Sequence, residues 1–200
     1  MIVKFCGLRR EEDILAVNKI KPDLAGFILV PDRRRYVSPD KVCELRKLLD
    51  KDIKVVGVFI DEDIEVVKGL ISDGTIDIAQ LHGNESEEYI RELKASCRAT
   101  IIKAVGIHDA KDVERAERSP ADIVIVDSPG GGTGDVFNWS LLQKIKRPYI
   151  LAGGLNCDNI VEAVRTLSPY GVDVSSGIET DGYKDKAKME AFMGLIKKGI

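Results

Sequence analysis

Asp127 stands where the apolar run Ile123-Val-Ile-Val126 gives out, and Cys6 closes the first such run, Ile2-Val-Lys-Phe-Cys6. A carboxyl and a thiol facing one substrate would supply a proton donor and a proton acceptor. Taken singly, neither residue carries that role. A cysteine at a strand end is commonly a small buried hydrophobe, and an aspartate there can cap a helix or pair with a basic group. Further along, Ala152-Gly153-Gly154-Leu155 and Ser175-Ser176-Gly177 offer backbone N–H groups and hydroxyls of the kind that cradle a phosphate, the alternative for Gly153 and Gly154 being a tight turn into a helix. Gly130, Gly131 and Gly132, just beyond Asp127, indicate positive φ, close approach to another group or a flexible turn.

Other polar candidates are fewer. Arg35, in the connection Pro31-Asp-Arg-Arg-Arg-Tyr36, can meet a small anion, whereas Arg33 and Arg34 read as solvated charge. His82, two residues after Gln80, has no Glu or second His at ligand spacing, so a substrate contact or a structural role is expected there, and no metal. His108 reads as a surface residue, and Cys43 and Cys97 as packing residues in or near helices.

These groups need a scaffold that gathers strand ends. Short β-branched runs alternate with amphipathic stretches, and the pattern predicts strands over Ile2 to Cys6, Leu24 to Val30, Lys54 to Ile60, Ile76 to Leu81, Ala99 to Val105, Ile123 to Val126, Tyr149 to Ala152 and Val172 to Val174. A helix is expected after each, including Trp139 to Ile145, Asn156 to Leu167 and Lys186 to Lys198, and Ser38-Pro39 reads as a helix start. Eight strand–helix units without a linker predict a parallel (β/α)8 barrel filling residues 1–200 as a single domain, a doubly wound sheet of fewer strands being the rival. Residues after each strand of such a barrel share one face. That rule gathers Cys6 and Gly7, Arg35, Asp61, Gln80 with His82 and Gly83, Asp127, Gly153 with Gly154, and Ser175 with Ser176 and Gly177. Loops after strands seven and eight are where these barrels hold phosphate.

Composition excludes several classes. The 200 residues are 44% hydrophobic and 32% charged with a net charge of -3, and no block of like charge is long enough to mark a nucleic-acid surface. The first residues lack the apolar core of a signal peptide and no segment approaches a membrane span, so a cytoplasmic protein is expected. Cys6, Cys43, Cys97 and Cys157 form no Cys-x-x-Cys pair, which leaves reduced thiols as the expectation.

Seven segments, in order along the chain, resemble phosphoribosylanthranilate isomerase: Lys4-Phe-Cys6-Gly7-Leu, Arg35-Tyr36-Val-Ser38-Pro39, Val56-Gly57-Val58-Phe59, Gln80-Leu-His82-Gly83, the Asp127 to Trp139 stretch, Gly153-Gly154-Leu155-Asn156 and Val172-Asp173-Val174-Ser175-Ser176-Gly177-Ile-Glu179. The resemblance implies an eight-stranded barrel that catalyses an Amadori rearrangement in tryptophan biosynthesis, on a small phosphorylated substrate and without cofactor or metal. It implies that Asp127 protonates the furanose ring oxygen, that Cys6 takes the proton from C2′ of the Schiff base, and that Arg35 pairs with the anthranilate carboxylate. The acid must be protonated and the base ionised together, the minor arrangement for groups with ordinary values near ~3.9 and ~8.5 unless the site shifts them. Phe137-Asn138-Trp139 stands where the family usually has Phe-Asp-Trp, and Asp135 where Lys or Gln is common. Gly182-Tyr-Lys184-Asp185 is family-like and is expected to order the terminus. A related or dual-substrate sugar-phosphate isomerase of histidine biosynthesis is the alternative enzyme, although that chemistry resembles a pair of aspartates and Cys6 takes the first place here. A non-catalytic phosphate-binding barrel is the third reading, disfavoured by intact Cys6, Asp127 and Arg35. Monomer and homodimer both remain open.

Overall fold

Apolar runs buried on both faces form the strands β1 (Ile2–Cys6), β2 (Leu24–Ile28), β3 (Lys54–Phe59), β4 (Ile78–Leu81), β5 (Thr100–Gly106), β6 (Ile123–Asp127), β7 (Tyr149–Leu151) and β8 (Gly171–Val174). In the computed structural model, which describes residues 1–128 and 139–199, they close in sequence order into a parallel barrel, with β8 pairing back to β1 through Val3 opposite Val172. Around it lie α1 (Glu11–Ile20), α2 (Pro39–Leu48), α3 (Ile64–Ser72), α4 (Glu87–Ser96), α5 (Ala110–Arg118), α6 (Ile160–Leu167) and α7 (Lys186–Gly199). After β6 the expected α-helix is replaced by a 3-10 helix, Trp139–Lys144. None of the described helices is long and apolar enough to cross a membrane.

Side-chain alternation along the strands divides the core in two. Val3, Phe5, Phe27 and Val172 face outward and pack against the helices, with Phe5 edge-on to Phe192 of α7. Leu24, Val56, Ile78, Ile102, Ile125 and Ile150 fill the barrel interior. Lys4 lies beside Leu24 of β2 and Asp173 of β8 in the strand register and Cys6 beside Gly26, so the interior column of β1 carries an ammonium and then a thiol.

Two local features depart from expectation. Helix α6 starts at Ile160 and not at Asn156, because Asn156 to Asn159 form side-chain-bonded turns: Asn156 N donates to Asn159 Oδ1 at 2.9 Å and Asp158 N to Asn156 Oδ1 at 2.8 Å. A small antiparallel ribbon, β9 (Glu179–Thr180) and β10 (Tyr183–Lys184), was not anticipated. Its turn is Asp181-Gly182, both at positive φ (51° and 79°), the pairing that a two-residue hairpin prefers. The ribbon is clasped from the β1–α1 loop: Arg9 donates to the Gly182 carbonyl at 2.6 Å, Arg10 to the Lys184 carbonyl at 3.1 Å, and both guanidinium groups lie 4.6 Å from the Tyr183 ring centre. That clasp orders the segment before α7, as the Gly182 to Asp185 pattern predicts.

Candidate active site

Strand exits from opposite arcs of the barrel converge on one cleft, lined by Cys6, Arg35, Gln80, His82, Asp127 and Asp173. Gly153, Gly154, Ser175 and Ser176 complete its wall on the β7–β8 side. Every strand-exit residue expected from the sequence except Gly7, Asp61, Gly83 and Gly177 therefore lines the same space. An isolated parallel bridge between Asn156 and Gly177 ties the loops after β7 and β8 together, and a Cβ at Gly177 would overlap the Leu155 carbonyl. Gly130, Gly131 and Gly132, with Asp135, Phe137 and Asn138, lie outside the described residues.

Asp127 is the last residue of β6 and is nearly buried at 6% exposure. Its Oδ1 accepts from the Ser128 N–H at 2.7 Å, and its Oδ2 faces His82 Nε2 at 3.5 Å. The Gln80 amide nitrogen lies 3.4 Å from His82 Nδ1. An amide N–H donating to Nδ1 leaves the imidazole proton on Nε2, aimed at Asp127, so Gln80 orients His82 and His82 meets the carboxylate. Gly153 adopts φ 85°, and a Cβ there would stand 2.5 Å from Ser128 N and 2.9 Å from Asp127 Oδ1. Glycine is required at this position to let the β7 loop close against the Asp127 carboxyl.

Cys6 ends β1 at 7% exposure. Burial pushes its thiol above the ordinary cysteine range; Lys4 opposes this by charge and hydrogen bonding, Asp173 adds to the rise, and Lys184 pulls it down. Ser175 Oγ donates to the Cys6 carbonyl at 3.0 Å, so this hydroxyl is committed to the barrel rim.

Arg35 is held by a group the sequence reading did not single out. Its Nε and Nη2 donate to the two carboxylate oxygens of Glu179 at 2.7 and 2.9 Å, a bidentate pair that fixes the plane of the guanidinium. Arg34, exposed as its reading as solvated charge expects, also reaches Glu179 at 2.7 Å, and Arg33 is exposed. Lys184 Nζ completes the cluster, 2.8 Å from Glu179 Oε1 and 2.8 Å from the Ser175 carbonyl. Burial works against ionisation of Glu179, but the Arg35 and Lys184 cations outweigh it and hold the carboxyl at about 2 against an ordinary 4.5. A carboxyl so depressed contributes stability above its unfolded value and loses it as pH falls through the folded one. Glu179→Gln is therefore expected to cost about 1 to 2 kcal/mol near neutral pH, with allowance for solvent screening at the barrel mouth. In urea titrations over a pH series, the gap between wild type and variant should close as pH falls from about 4.5 toward about 2. A gap independent of pH would mean the three contacts do not act through charge.

Lys4, Asp173, Glu179 and Lys184 are the polar groups that residue-by-residue reading of strand exits misses. A signal existed for the first two: each is a charge inside an apolar strand run, Ile2-Val-Lys-Phe and Val172-Asp-Val174. Glu179 and Lys184 reach the site only through the Asp181-Gly182 hairpin.

Residues 3–194 match the family described as N-(5'phosphoribosyl)anthranilate (PRA) isomerase. The N-(5'-phosphoribosyl)anthranilate isomerase of Clostridium acetobutylicum is 46% identical, the alignment covering 98% of each chain. The crystal structure of phosphoribosyl anthranilate isomerase from Thermotoga maritima superposes with a TM-score of 0.90 at 34% identity, covering 98% of this chain and 99% of that one. A structure of such an isomerase in complex with reduced 1-(o-carboxyphenylamino)-1-deoxyribulose 5-phosphate superposes with a TM-score of 0.88 at 33% identity, with the same coverage.

Proposed function

We propose, since this chain belongs to the N-(5'-phosphoribosyl)anthranilate isomerase family, that Asp127 is the general acid and Cys6 the general base of its reaction. The chain is an isomerase of tryptophan biosynthesis, converting N-(5-phosphoribosyl)anthranilate to 1-(2-carboxyphenylamino)-1-deoxyribulose 5-phosphate. The rearrangement opens an aminated furanose and moves hydrogen from carbon two to carbon one, so it needs one proton donor, one proton acceptor and no net redox change.

Asp127 gives its proton to the ring oxygen as the C1′–O bond breaks and the anilino nitrogen lone pair forms the protonated Schiff base. The Cys6 thiolate then removes the C2′ proton, and the electrons of that C–H bond flow toward the iminium nitrogen to give the enolamine. Proton transfer to C1′ with loss of the C2′ hydroxyl proton yields the ketone, and the atoms of substrate and product balance. The observation that carries this reading is the convergence of a 6% exposed carboxyl from β6 and a 7% exposed thiol from β1 on one cleft beside the β7 and β8 loops. Bringing the substrate into that cleft excludes water from the reacting groups.

In the same reading, Gly153, Gly154, Ser176 and Gly177 hold the phosphate by backbone N–H groups with Ser175 framing the loop, Gln80 and His82 orient Asp127, and Arg35 takes the anthranilate carboxylate. Glu179 occupies Arg35 Nε and Nη2, and Nη1 has no hydrogen-bond partner among the described residues. One barrel, residues 1–200, would act as a monomer or homodimer in the cytoplasm, with no cofactor. Loss of phosphoribosylanthranilate fluorescence reports turnover directly. Wild type should turn over, and Arg35→Met should raise KM roughly 10- to 10²-fold with a smaller change in kcat, the scale of one charge-assisted pair. Absence of wild-type turnover overturns the reading, and an unchanged KM in Arg35→Met removes Arg35 from the carboxylate site.

A further inference from the structure

We propose that Lys4, held in place by Asp173, is a positioning residue whose ammonium eases ionisation of the Cys6 sulfur inside the barrel; this rests on Cys6 being the base. A lysine in the third position of an apolar five-residue strand is a costly choice, since a fully buried ammonium must be paired. Lys4 is 0% exposed, and its Nζ donates to Asp173 Oδ2 at 3.0 Å. That pair leaves capacity on both sides. Lys4 has two further N–H donors, and Asp173 Oδ1 is buried without a hydrogen-bond partner among the described residues.

Geometry directs the spare donors toward the thiol. Lys4 and Cys6 project into the same interior column of β1, one above the other. Beside them β2 carries Gly26, and a Cβ there would stand 3.0 Å from Cys6 Sγ and 3.0 Å from Lys4 Nζ, so both side chains occupy the room that the missing side chain leaves. An ammonium this close, away from water, favours the ionised sulfur far more than it would at the surface. The charges around Cys6 divide clearly. Lys4 on its own strand and Lys184 on β10 favour the thiolate, Asp173 on β8 opposes it, and β2 contributes only Gly26. Arg35 lies on the Cys6 side, its Cδ 2.5 Å from where a Cβ at Gly7 would stand, and His82 and Asp127 also line the cleft. With burial and Asp173 both acting against ionisation, Lys4 is the principal group on the other side. Asp173 fixes where that charge sits.

Alkylation of Cys6 by iodoacetamide over a pH series, read by peptide mass spectrometry so that Cys43, Cys97 and Cys157 do not contribute, tests this. Lys4→Met should move the midpoint of Cys6 alkylation upward by at least about one pH unit, and slow its reaction at neutral pH roughly 10-fold. Lys4→Arg should restore most of the wild-type profile. Because Lys4→Met strands a buried carboxylate and can fail to fold, the double variant Lys4→Met/Asp173→Asn, which removes both charges, is measured as well. It should fold and still show the raised midpoint. A folded single or double variant with the wild-type alkylation profile overturns the proposal. Cys6→Ala separates the two levels of inference: if that variant is inactive while Lys4→Met leaves the thiol profile unchanged, the base assignment stands and the role of Lys4 falls. If Cys6→Ala keeps near-full rate, the base assignment itself fails, and the role of Lys4 with it.

Discussion

Asp127→Asn is expected to lower kcat by at least ~10²-fold, the contribution of one positioned acid, with little loss of fold. The side chain keeps its shape, and the Asn oxygen can accept from the Ser128 N–H as Asp127 Oδ1 does at 2.7 Å. Its amide nitrogen would face His82 Nε2 in place of the carboxylate oxygen now at 3.5 Å, a mismatch relieved when the imidazole proton moves to Nδ1 and the Gln80 amide turns its oxygen toward it. The lost element is the transferable proton. Since the ring oxygen becomes basic only as the C1′–O bond breaks, kcat and kcat/KM should fall together, with KM nearly unchanged. Steady-state turnover by fluorescence, beside a thermal melt of each protein, decides the point. A variant that melts normally and keeps more than about a tenth of the wild-type kcat would require a different acid.

Cys6→Ser is expected to be as inactive as Cys6→Ala, each at least ~10²-fold down in kcat. This comparison separates chemistry from space filling. Serine fits the same buried position, but its hydroxyl does not ionise near neutral pH, so the ammonium of Lys4 has no thiolate to stabilise. If the thiol were only a small hydrophobe beside Gly26, serine and alanine would change stability while leaving turnover within a few-fold of wild type. With Asp127 intact, ring opening remains available to both variants, and the block falls at removal of the C2′ proton. A primary isotope effect with substrate deuterated at C2′ should therefore be larger in a weakly active Cys6 variant than in wild type. Equal isotope effects would place the defect elsewhere.

Strand number and strand exits were legible from the chain because they rest on local physics. Buried strands are mostly apolar, and the polar residues at and just beyond their ends gather at the barrel mouth, which located Cys6, Gln80, His82, Asp127 and the β7 and β8 loops. Boundaries slipped where side chains bonded their own backbone, as at Asn156 to Asn159. The β9–β10 ribbon was readable in principle from Asp181-Gly182, but two-residue strands leave no periodicity.

Chain order and residue type thus determined, without coordinates, a barrel with a carboxyl, a thiol and two small-residue loops on one face. Only the tertiary structure decided what each of them meets. Lys4 and Asp173 are 169 positions apart and become a 3.0 Å pair because β8 closes against β1, and Arg35 meets Glu179 across 144 positions because a hairpin turns back over the mouth. Charge interactions depend on distance and on exclusion of water, and neither quantity exists until the barrel closes.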